Sequence, residues 1–488
     1  RVRWTGADAR SSSVASDETS QPVELLLSVS RDGSRRLGAQ IEDQLRQGIW
    51  QGTLKAGARV ASTRDLARQL GVSRRVIVDA YAQLAAEGYL SLRQGARPRV
   101  SLAPGRGDTT PRASATGSAP PPRFDFRPRA PDVSSFPRTA WLRSLREALT
   151  VITDGDLGYG NPRGVEALRA ALADYLGRVR GVVADPARVV VTSGYSQGQG
   201  IVCRALLAHG ARRIAVENPS HPEQRRIAAR AGLEVVPVAV DEAGIRVDEL
   251  QRADVDAVAL TPAHQHPTGA VLSGERRTSL LAWLRASGAI AIEDDYDAEY
   301  RYDRAAVGAL QGLEPDQIVY AGSASKTLAP ALRLGWLVVP PRLLDTVTDE
   351  KDLADCGTAR IDQHAFASFL SRGELDRHLR RMRARYRRRR DLLVNTLVEA
   401  LPEATVHGIA AGLHATVQLP DDNDEQAILD QAHRRRIDLT TMGDFWAQPG
   451  SGPPTLLLGY GQIPEHAIPT AAQELAHAVR AARAPTGP

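Results

Sequence analysis

A lysine, a carboxylate and an arginine occur along the chain in an order that could build a cofactor site. Lys326 lies in the run GSASKTL, Asp294 precedes it by about one strand and its connection, and Arg333 follows it by seven residues. A lysine amine can form a Schiff base with an aldehyde, a carboxylate can keep a pyridine nitrogen protonated, and a guanidinium can hold a phosphate. These residue types predict a pyridoxal phosphate site, with Lys326 as the Schiff-base residue.

Two apolar segments flank this lysine and predict where it lies in the fold. Residues 317–322 have the pattern of a buried strand, and residues 332–339 lead into another. The lysine is therefore expected at the exit of a strand, where α/β folds build their sites. Ser323 and Ser325 supply hydroxyls for the phosphate.

A third segment, residues 189–197, is typical of a strand that runs into the start of a helix. Gly194, Tyr195 and Ser196 lie at the junction. Free N–H groups and the helix dipole can hold a phosphate at such a point, although a simple strand-helix turn would have the same pattern.

Basic charge is concentrated near the beginning of the chain. Residues 36–100 contain eleven Lys or Arg against five Asp or Glu, a net charge of +6, whereas the whole chain carries +5. Basic charge concentrated in one small unit is typical of a domain that binds the phosphate backbone of nucleic acid. The alternative is a soluble basic domain that has no nucleic-acid partner.

The apolar spacing in this basic segment predicts a helix-turn-helix. A helix capped by Ser62 is followed by a turn at residues 71–73 and by a second helix over residues 74–86, with Ser73 as its cap. Residues 88–100 alternate as a hairpin with Gly95 at the tip, which predicts a basic wing. The candidate DNA-contacting residues are Arg36, Arg59, Ser62, Thr63, Arg64, Ser73, Arg74, Arg75, Tyr81, Arg93, Gln94 and Arg97.

Residues 57–67, 70–74 and 80–89 resemble the GntR-type winged helix. Joined to an aminotransferase-like domain, the chain resembles the MocR-type bacterial regulators, whose members include regulators of vitamin B6 synthesis. The resemblance implies an α/β fold class: an N-terminal winged helix-turn-helix, and a fold-type I aminotransferase-like domain with a mixed-sheet large part and a smaller C-terminal α+β part. It also implies cofactor-dependent binding to promoter DNA and a head-to-tail homodimer.

The resemblance implies further roles for cofactor-binding residues. Asp294 would be the partner of the pyridinium, with Asp295 structural, and Tyr296 would donate to the phenolic oxygen of the cofactor. His221 takes the place of an aromatic residue stacked on the ring, and His266 that of an asparagine. No metal site is expected, because the histidines lack cysteine or carboxylate at ligand spacing.

One departure from the aminotransferase pattern bears on activity. Residues 455–460 read TLLLGY, without the arginine that holds the substrate carboxylate in working aminotransferases. Arg225 or Arg226 could still point inward. We therefore expect a ligand sensor with weak or absent transaminase activity.

Composition suggests how the chain divides. Residues 1–32 are expected to be a flexible leader, 33–100 the winged helix, 101–123 a Pro/Gly/Ser-rich linker, 124–340 the large domain and 341–488 the small domain. Neither a long apolar run nor a signal peptide is visible, so we expect a cytoplasmic protein. Residues 371–391 contain ten arginines. This pattern is typical of a solvated helix face, and a second DNA contact is the alternative interpretation.

The sequence thus predicts a regulator whose promoter binding is modulated by pyridoxal phosphate held as a Lys326 aldimine. A transaminase that carries a DNA-binding domain is the alternative, and a scaffold without cofactor is a third interpretation.

Overall fold

The computed structural model describes residues 27–31, 36–101, 121–302, 307–408 and 410–483. The chain divides into two compact units, residues 1–119 and 120–488. The expected leader lies outside the described residues except at 27–31, and the expected linker lies outside them except at 101 and 121–123. None of the helices in the described residues combines the length and the apolar composition that a membrane-spanning segment needs.

Within residues 36–101, the first unit consists of a helix-turn-helix and a short hairpin. Its elements are α1 Leu37–Trp50, α2 Thr63–Leu70, α3 Arg74–Ala86, β1 Leu90–Ser91 and β2 Arg99–Val100. β1 and β2 are antiparallel, as the predicted wing requires. The side chain of Ser62 accepts from the N–H of Asp65 and caps α2, and Gly71 ends that helix with a φ of 63°.

The three helices of this unit pack around one apolar core. Ile41 and Leu45 of α1 pack with Leu66 of α2 and Ile77 and Leu84 of α3, all fully buried. The predicted winged helix is confirmed, but one cap is wrong, because the side chain of Ser73 makes no capping hydrogen bond to α3.

The second unit alternates helices and strands. Its helices are α4 Arg138–Val151, α5 Glu166–Arg180, α6 Tyr195–Ala208, α7 Pro222–Ala231, α8 Val247–Leu250, α9 Gly274–Ser287, α10 Ala324–Thr327, α11 Pro341–Asp355, α12 Arg360–Ser371, α13 Glu374–Ala400, α14 Glu425–Arg434 and α15 Ile468–Arg483. Its strands are β3 Phe124–Asp125, β4 Val189–Thr192, β5 Arg213–Asn218, β6 Glu234–Asp241, β7 Gly244–Ile245, β8 Ala257–Leu260, β9 Ile290–Asp294, β10 Ile318–Ser323, β11 Gly335–Val338, β12 Thr405–His407, β13 His414–Gln418, β14 Ile437–Asp438, β15 Thr440–Thr441 and β16 Thr455–Gly459.

Eight strands of the described residues form the mixed sheet that was predicted, in the order β4-β11-β10-β9-β8-β5-β6-β7. The strands from β10 to β6 are parallel, and β11 and β7 are antiparallel to their neighbours. β4, β8 and β9 are buried along their whole length, because helices cover both faces of the sheet.

A smaller antiparallel sheet of the described residues follows, in the order β12-β13-β16-β15, and β3 pairs with β14. The large sheet positions the site: its parallel strands end at one edge, where β5, β9 and β10 lead into residues 219–221, 295–297 and 324–326.

Candidate cofactor site and nucleic-acid interface

A cavity of about 440 Å³ opens at this edge of the large sheet. It brings together all the residues that the sequence proposed for cofactor binding, which are Gly194, Tyr195, Ser196, His221, His266, Asp294, Tyr296, Ser323, Ser325, Lys326 and Arg333. Sequence reasoning missed other lining residues, among them Pro128, Arg129, Gln224, Leu413, His414 and Phe445.

Lys326 lies at the end of β10, on the short helix α10. Ser323 positions the turn, because its hydroxyl oxygen accepts from the N–H of Ser325 at 3.0 Å. The Nζ of Lys326 donates to the carbonyl oxygens of Arg129 (2.7 Å) and Pro128 (3.3 Å). Burial lowers the pKa of Lys326, while Asp297 and Asp294 act in the opposite direction. A lysine with a lowered pKa is more readily neutral and nucleophilic.

Asp294 is a buried carboxylate at the end of β9, with an exposed fraction of 7%. The side-chain amide of Gln224 donates to it at 3.1 Å, and no cationic side chain of the described residues pairs with it. Burial first, and then Asp295, raise the pKa of Asp294 well above its ordinary value. A buried carboxylate without a cation at ion-pair distance fits a site that receives a pyridinium.

The adjacent Asp295 has a different environment. Its carboxylate accepts from the guanidinium of Arg180 at 2.7 Å and from the hydroxyl of Tyr320 at 2.7 Å. The side chains of Arg180 and Asp295 are 0% and 2% exposed. Asp295 is therefore part of a buried ion pair and does not line the cavity, as a structural role requires.

The opposite end of the cavity is suited to an anion. Gly194 precedes α6 with a φ of 126°, and a Cβ at this position would lie 3.2 Å from Nη2 of Arg333. The first N–H groups of α6, at Tyr195 and Ser196, have no acceptor within their own helix. Together with the Ser323 and Ser325 hydroxyls and the helix dipole, they form a cradle that fits a phosphate.

Aromatic side chains line the wall between these two ends. The rings of His221 and His266 stack with centroids 5.8 Å apart. The hydroxyl of Tyr296 lies 3.0 Å from Nδ1 of His264, which also lies 3.1 Å from the carboxylate of Asp297. Burial lowers the pKa of His221 and lowers that of His266 still further, so both rings are neutral near neutral pH.

The two arginines that were considered as partners of a substrate carboxylate, Arg225 and Arg226, do not line the cavity. Arg225 donates to the carbonyl oxygens of Ser220 and Phe445, each at 2.7 Å, and thereby ties α7 to residues 444–446. Arg226 is exposed. Of the described arginines, Arg129 and Arg333 line the cavity.

The first unit presents most of its candidate DNA-contacting residues to solvent. Exposed are Arg36, Arg59, Arg64, Ser73, Arg74, Arg75, Arg93, Gln94 and Arg97, while Ser62 and Thr63 are half-buried at the start of α2. Tyr81 was wrongly included: it is 1% exposed, and its hydroxyl donates to the carbonyl oxygen of Ala61 at 2.9 Å. It faces inward because position 81 shares the buried face of α3 with Ile77 and Leu84.

Comparisons with known proteins find a family match in each of the two units of the chain. Residues 37–100 match the bacterial regulatory proteins of the gntR family, and residues 132–455 match aminotransferase class I and II. The chain is 32% identical over 445 residues to the HTH-type pyridoxine biosynthesis transcriptional regulator PdxR of Corynebacterium glutamicum, covering 90% of this chain and 95% of that protein. It is 30% identical over 460 residues to the probable rhizopine catabolism regulatory protein MocR of Rhizobium meliloti, covering 90% and 92%.

Among solved structures, an archaeal alanine:glyoxylate aminotransferase aligns with a TM-score of 0.68 at 24% identity, over 73% of this chain and 91% of that one. This likeness shows the fold. The family matches also support the predicted cofactor, pyridoxal phosphate. The chain therefore belongs to the MocR-type subfamily of GntR regulators, in which a helix-turn-helix domain is joined to an aminotransferase class I and II domain.

Proposed function

We propose that this regulator binds promoter DNA through its winged helix, that pyridoxal phosphate bound at Lys326 modulates this binding, and that the regulated genes serve vitamin B6 synthesis. The observation that supports the proposal most strongly is the cavity itself, which is lined by a buried carboxylate without an ion-pair partner, by a lysine and by an anion cradle. The similarity to a pyridoxine biosynthesis regulator over 90% of the chain supports the choice of genes.

Each end of the cavity would hold one part of the cofactor. Arg333, the Ser323 and Ser325 hydroxyls and the start of α6 would hold the phosphate, and Asp294 would pair with the pyridinium. When bound, the cofactor supplies an aldehyde that can bond covalently to a lysine amine. Tyr296 and the stacked histidines would position the ring from its other sides.

Binding at Lys326 would also change contacts within the protein. The Nζ of Lys326 must leave the carbonyl oxygens of Pro128 and Arg129 before it can bond to an aldehyde. The same segment continues to Asp132, whose carboxylate accepts from Arg385 (3.1 Å) and Arg389 (2.9 Å) of α13. This segment, residues 128–132, therefore offers a direct connection from the cofactor amine to the long helix α13.

Transaminase activity is expected to be weak or absent. β16 carries no arginine, and Arg225 is committed to backbone carbonyl groups. An aminotransferase holds the substrate carboxylate with a bidentate arginine contact, and the described residues supply none at those positions. Arg129 is the arginine besides Arg333 that lines the cavity, and unless it takes this role an amino acid should be a poor substrate.

A homodimer is part of the proposal. Large apolar side chains are exposed in one stretch of the second unit: Leu149 at 53%, Val151 at 71%, Leu157 at 61% and Tyr159 at 94%. If these side chains form one contiguous surface, they would mark an interaction surface. Sedimentation velocity of the intact chain should give a dimer, and a monomer at micromolar concentration would refute this part.

The cofactor assignment can be tested chemically, because the chain has three lysines, Lys55, Lys326 and Lys351. The intact chain is mixed with pyridoxal phosphate, reduced with borohydride and mapped by peptide mass. We expect the added mass on the Lys326 peptide, and Lys55→Ala, which removes an exposed lysine, should leave it unchanged. Modification of Lys55 alone would contradict the site.

The regulatory assignment is tested by fluorescence anisotropy with a labelled duplex from upstream of a vitamin B6 synthesis gene and a scrambled duplex as control. Preference for the first duplex, together with no multiple-turnover amino transfer from common amino acids, would support the proposal. Rapid turnover with equal binding to both duplexes would favour the transaminase alternative.

A further inference from the structure

The helix α13 has two different faces. Its inner face is bound to the body of the second unit: Arg385 and Arg389 pair with Asp132, and the guanidinium of Arg383 donates to the carbonyl oxygen of Glu299 at 2.7 and 2.9 Å. These arginines are accounted for by structural contacts.

The outer face carries a different set of arginines. The arginine stripe, as we define it, consists of Arg377, Arg380, Arg381, Arg387 and Arg388, all exposed. At about 100° per residue these positions fall within roughly 120° of the helix circumference, and at 1.5 Å per residue they extend over about 16 Å. The stripe is therefore one continuous cationic surface on a rigid element.

Most of this charge is free to meet a partner. Arg377, Arg387 and Arg388 have carboxylate neighbours at 2.8, 3.9 and 3.3 Å, but all three side chains are more than half exposed. Such surface pairs contribute little and exchange readily. Within the described residues, Arg380 and Arg381 have no carboxylate within ion-pair distance.

The dimensions of the stripe fit a nucleic-acid backbone. One strand of a duplex has a phosphate about every 3.4 Å along the axis, so a surface of about 16 Å faces about five phosphates. The guanidinium fork matches phosphate oxygens in a bidentate manner. If the segment between the two units can span the distance, a duplex held by the winged helix would meet a second basic surface of the same chain as an intramolecular event.

From the stripe we propose a second DNA contact: the outer face of α13 binds the phosphate backbone of the promoter duplex without reading its sequence. This inference rests on the proposed function, because it assumes that the chain binds promoter DNA. The stripe lies on the helix that residues 128–132 connect to Lys326, so it is also a surface that the cofactor can influence.

The test compares two double variants of the intact chain. Arg380→Gln/Arg381→Gln alters the stripe, and Arg230→Gln/Arg434→Gln removes the same charge from exposed positions on α7 and α14. The logarithm of the promoter association constant is measured against the logarithm of the salt concentration. If each stripe arginine meets one phosphate, the slope should fall by about 1.8 in magnitude and affinity at 0.1 M salt should weaken roughly 10- to 60-fold.

The control variant should keep the slope of the unaltered chain, and preference for the promoter over a scrambled duplex should persist in both variants. Equal slopes and affinities for the stripe variant and the control would overturn the proposal and leave the stripe a solvated helix face. A different result would contradict the proposed function itself: the unaltered chain would bind the promoter duplex and the scrambled duplex equally well. Unchanged thermal unfolding of both variants excludes misfolding as the cause.

Discussion

Replacing Asp294 with asparagine should have two opposite effects. The carboxylate is buried, has the amide of Gln224 as its partner, and has no cationic side chain of the described residues within ion-pair distance. Because burial and Asp295 raise the pKa of Asp294, the folded state favours its protonated form. The stability associated with that proton is fully present below the unfolded pKa and is lost as pH rises through the raised folded value.

At pH 8, Asp294→Asn should therefore stabilise the chain without cofactor. We expect a gain of about 1 kcal/mol, seen as a rise in Tm on the order of 2 °C. The same substitution removes the charge that would pair with the pyridinium. Loss of one partner of a buried charged pair costs about 2–4 kcal/mol, which corresponds to a rise of about 30- to 1000-fold in the Kd for pyridoxal phosphate.

The neighbouring residue supplies a matched control. Asp295→Asn removes the partner of the buried Arg180, so it should destabilise the chain by about 3–5 kcal/mol. The assay is a cofactor titration followed by absorbance, together with thermal unfolding of the cofactor-free chain. An Asp294→Asn variant with a Kd within threefold of the unaltered chain, or with a lower Tm, would refute the reasoning.

Three further variants test the cofactor site and the winged helix. Gly194→Ala, at a φ of 126° and with its Cβ 3.2 Å from Arg333, should weaken cofactor binding about 10- to 100-fold in the same titration, and unaltered binding would argue against the phosphate cradle. Arg74→Gln/Arg75→Gln should abolish preference for the promoter duplex in an anisotropy assay without changing the absorbance of bound cofactor; retained preference would place sequence reading elsewhere. Tyr81→Phe should lower the free energy of unfolding by about 1 kcal/mol and leave DNA affinity unchanged, whereas a selective loss of DNA affinity would restore a contact role.

The cofactor lysine could be predicted from sequence because its signals are local. Strand patterns on both sides of Lys326 and the hydroxyls beside it lie within about twenty residues. The carbonyl oxygens that hold its amine could not be predicted in this way. Pro128 and Arg129 lie almost two hundred residues away in sequence, and a backbone carbonyl group has no sequence signature.

The helix-turn-helix could be predicted in outline, while single side chains were harder to place. Tyr81 is polar at its tip and neighbours exposed positions, so its hydroxyl suggested a DNA contact. In the structure its ring completes the core between α2 and α3, and its hydroxyl finds a backbone acceptor. The contacts of Arg225 could not be predicted either. Its guanidinium donates to the carbonyl oxygens of residues 444–446, which lie more than two hundred residues away in sequence.

The central claim is tested most directly by measuring promoter affinity with and without saturating pyridoxal phosphate, for the unaltered chain and for Lys326→Ala. A coupling free energy of about 1–3 kcal/mol between two sites changes affinity about 5- to 150-fold. We expect a change of at least about fivefold in Kd for the unaltered chain and none for Lys326→Ala. Equal affinity with and without cofactor in the unaltered chain, at full occupancy of the cavity, would contradict the account.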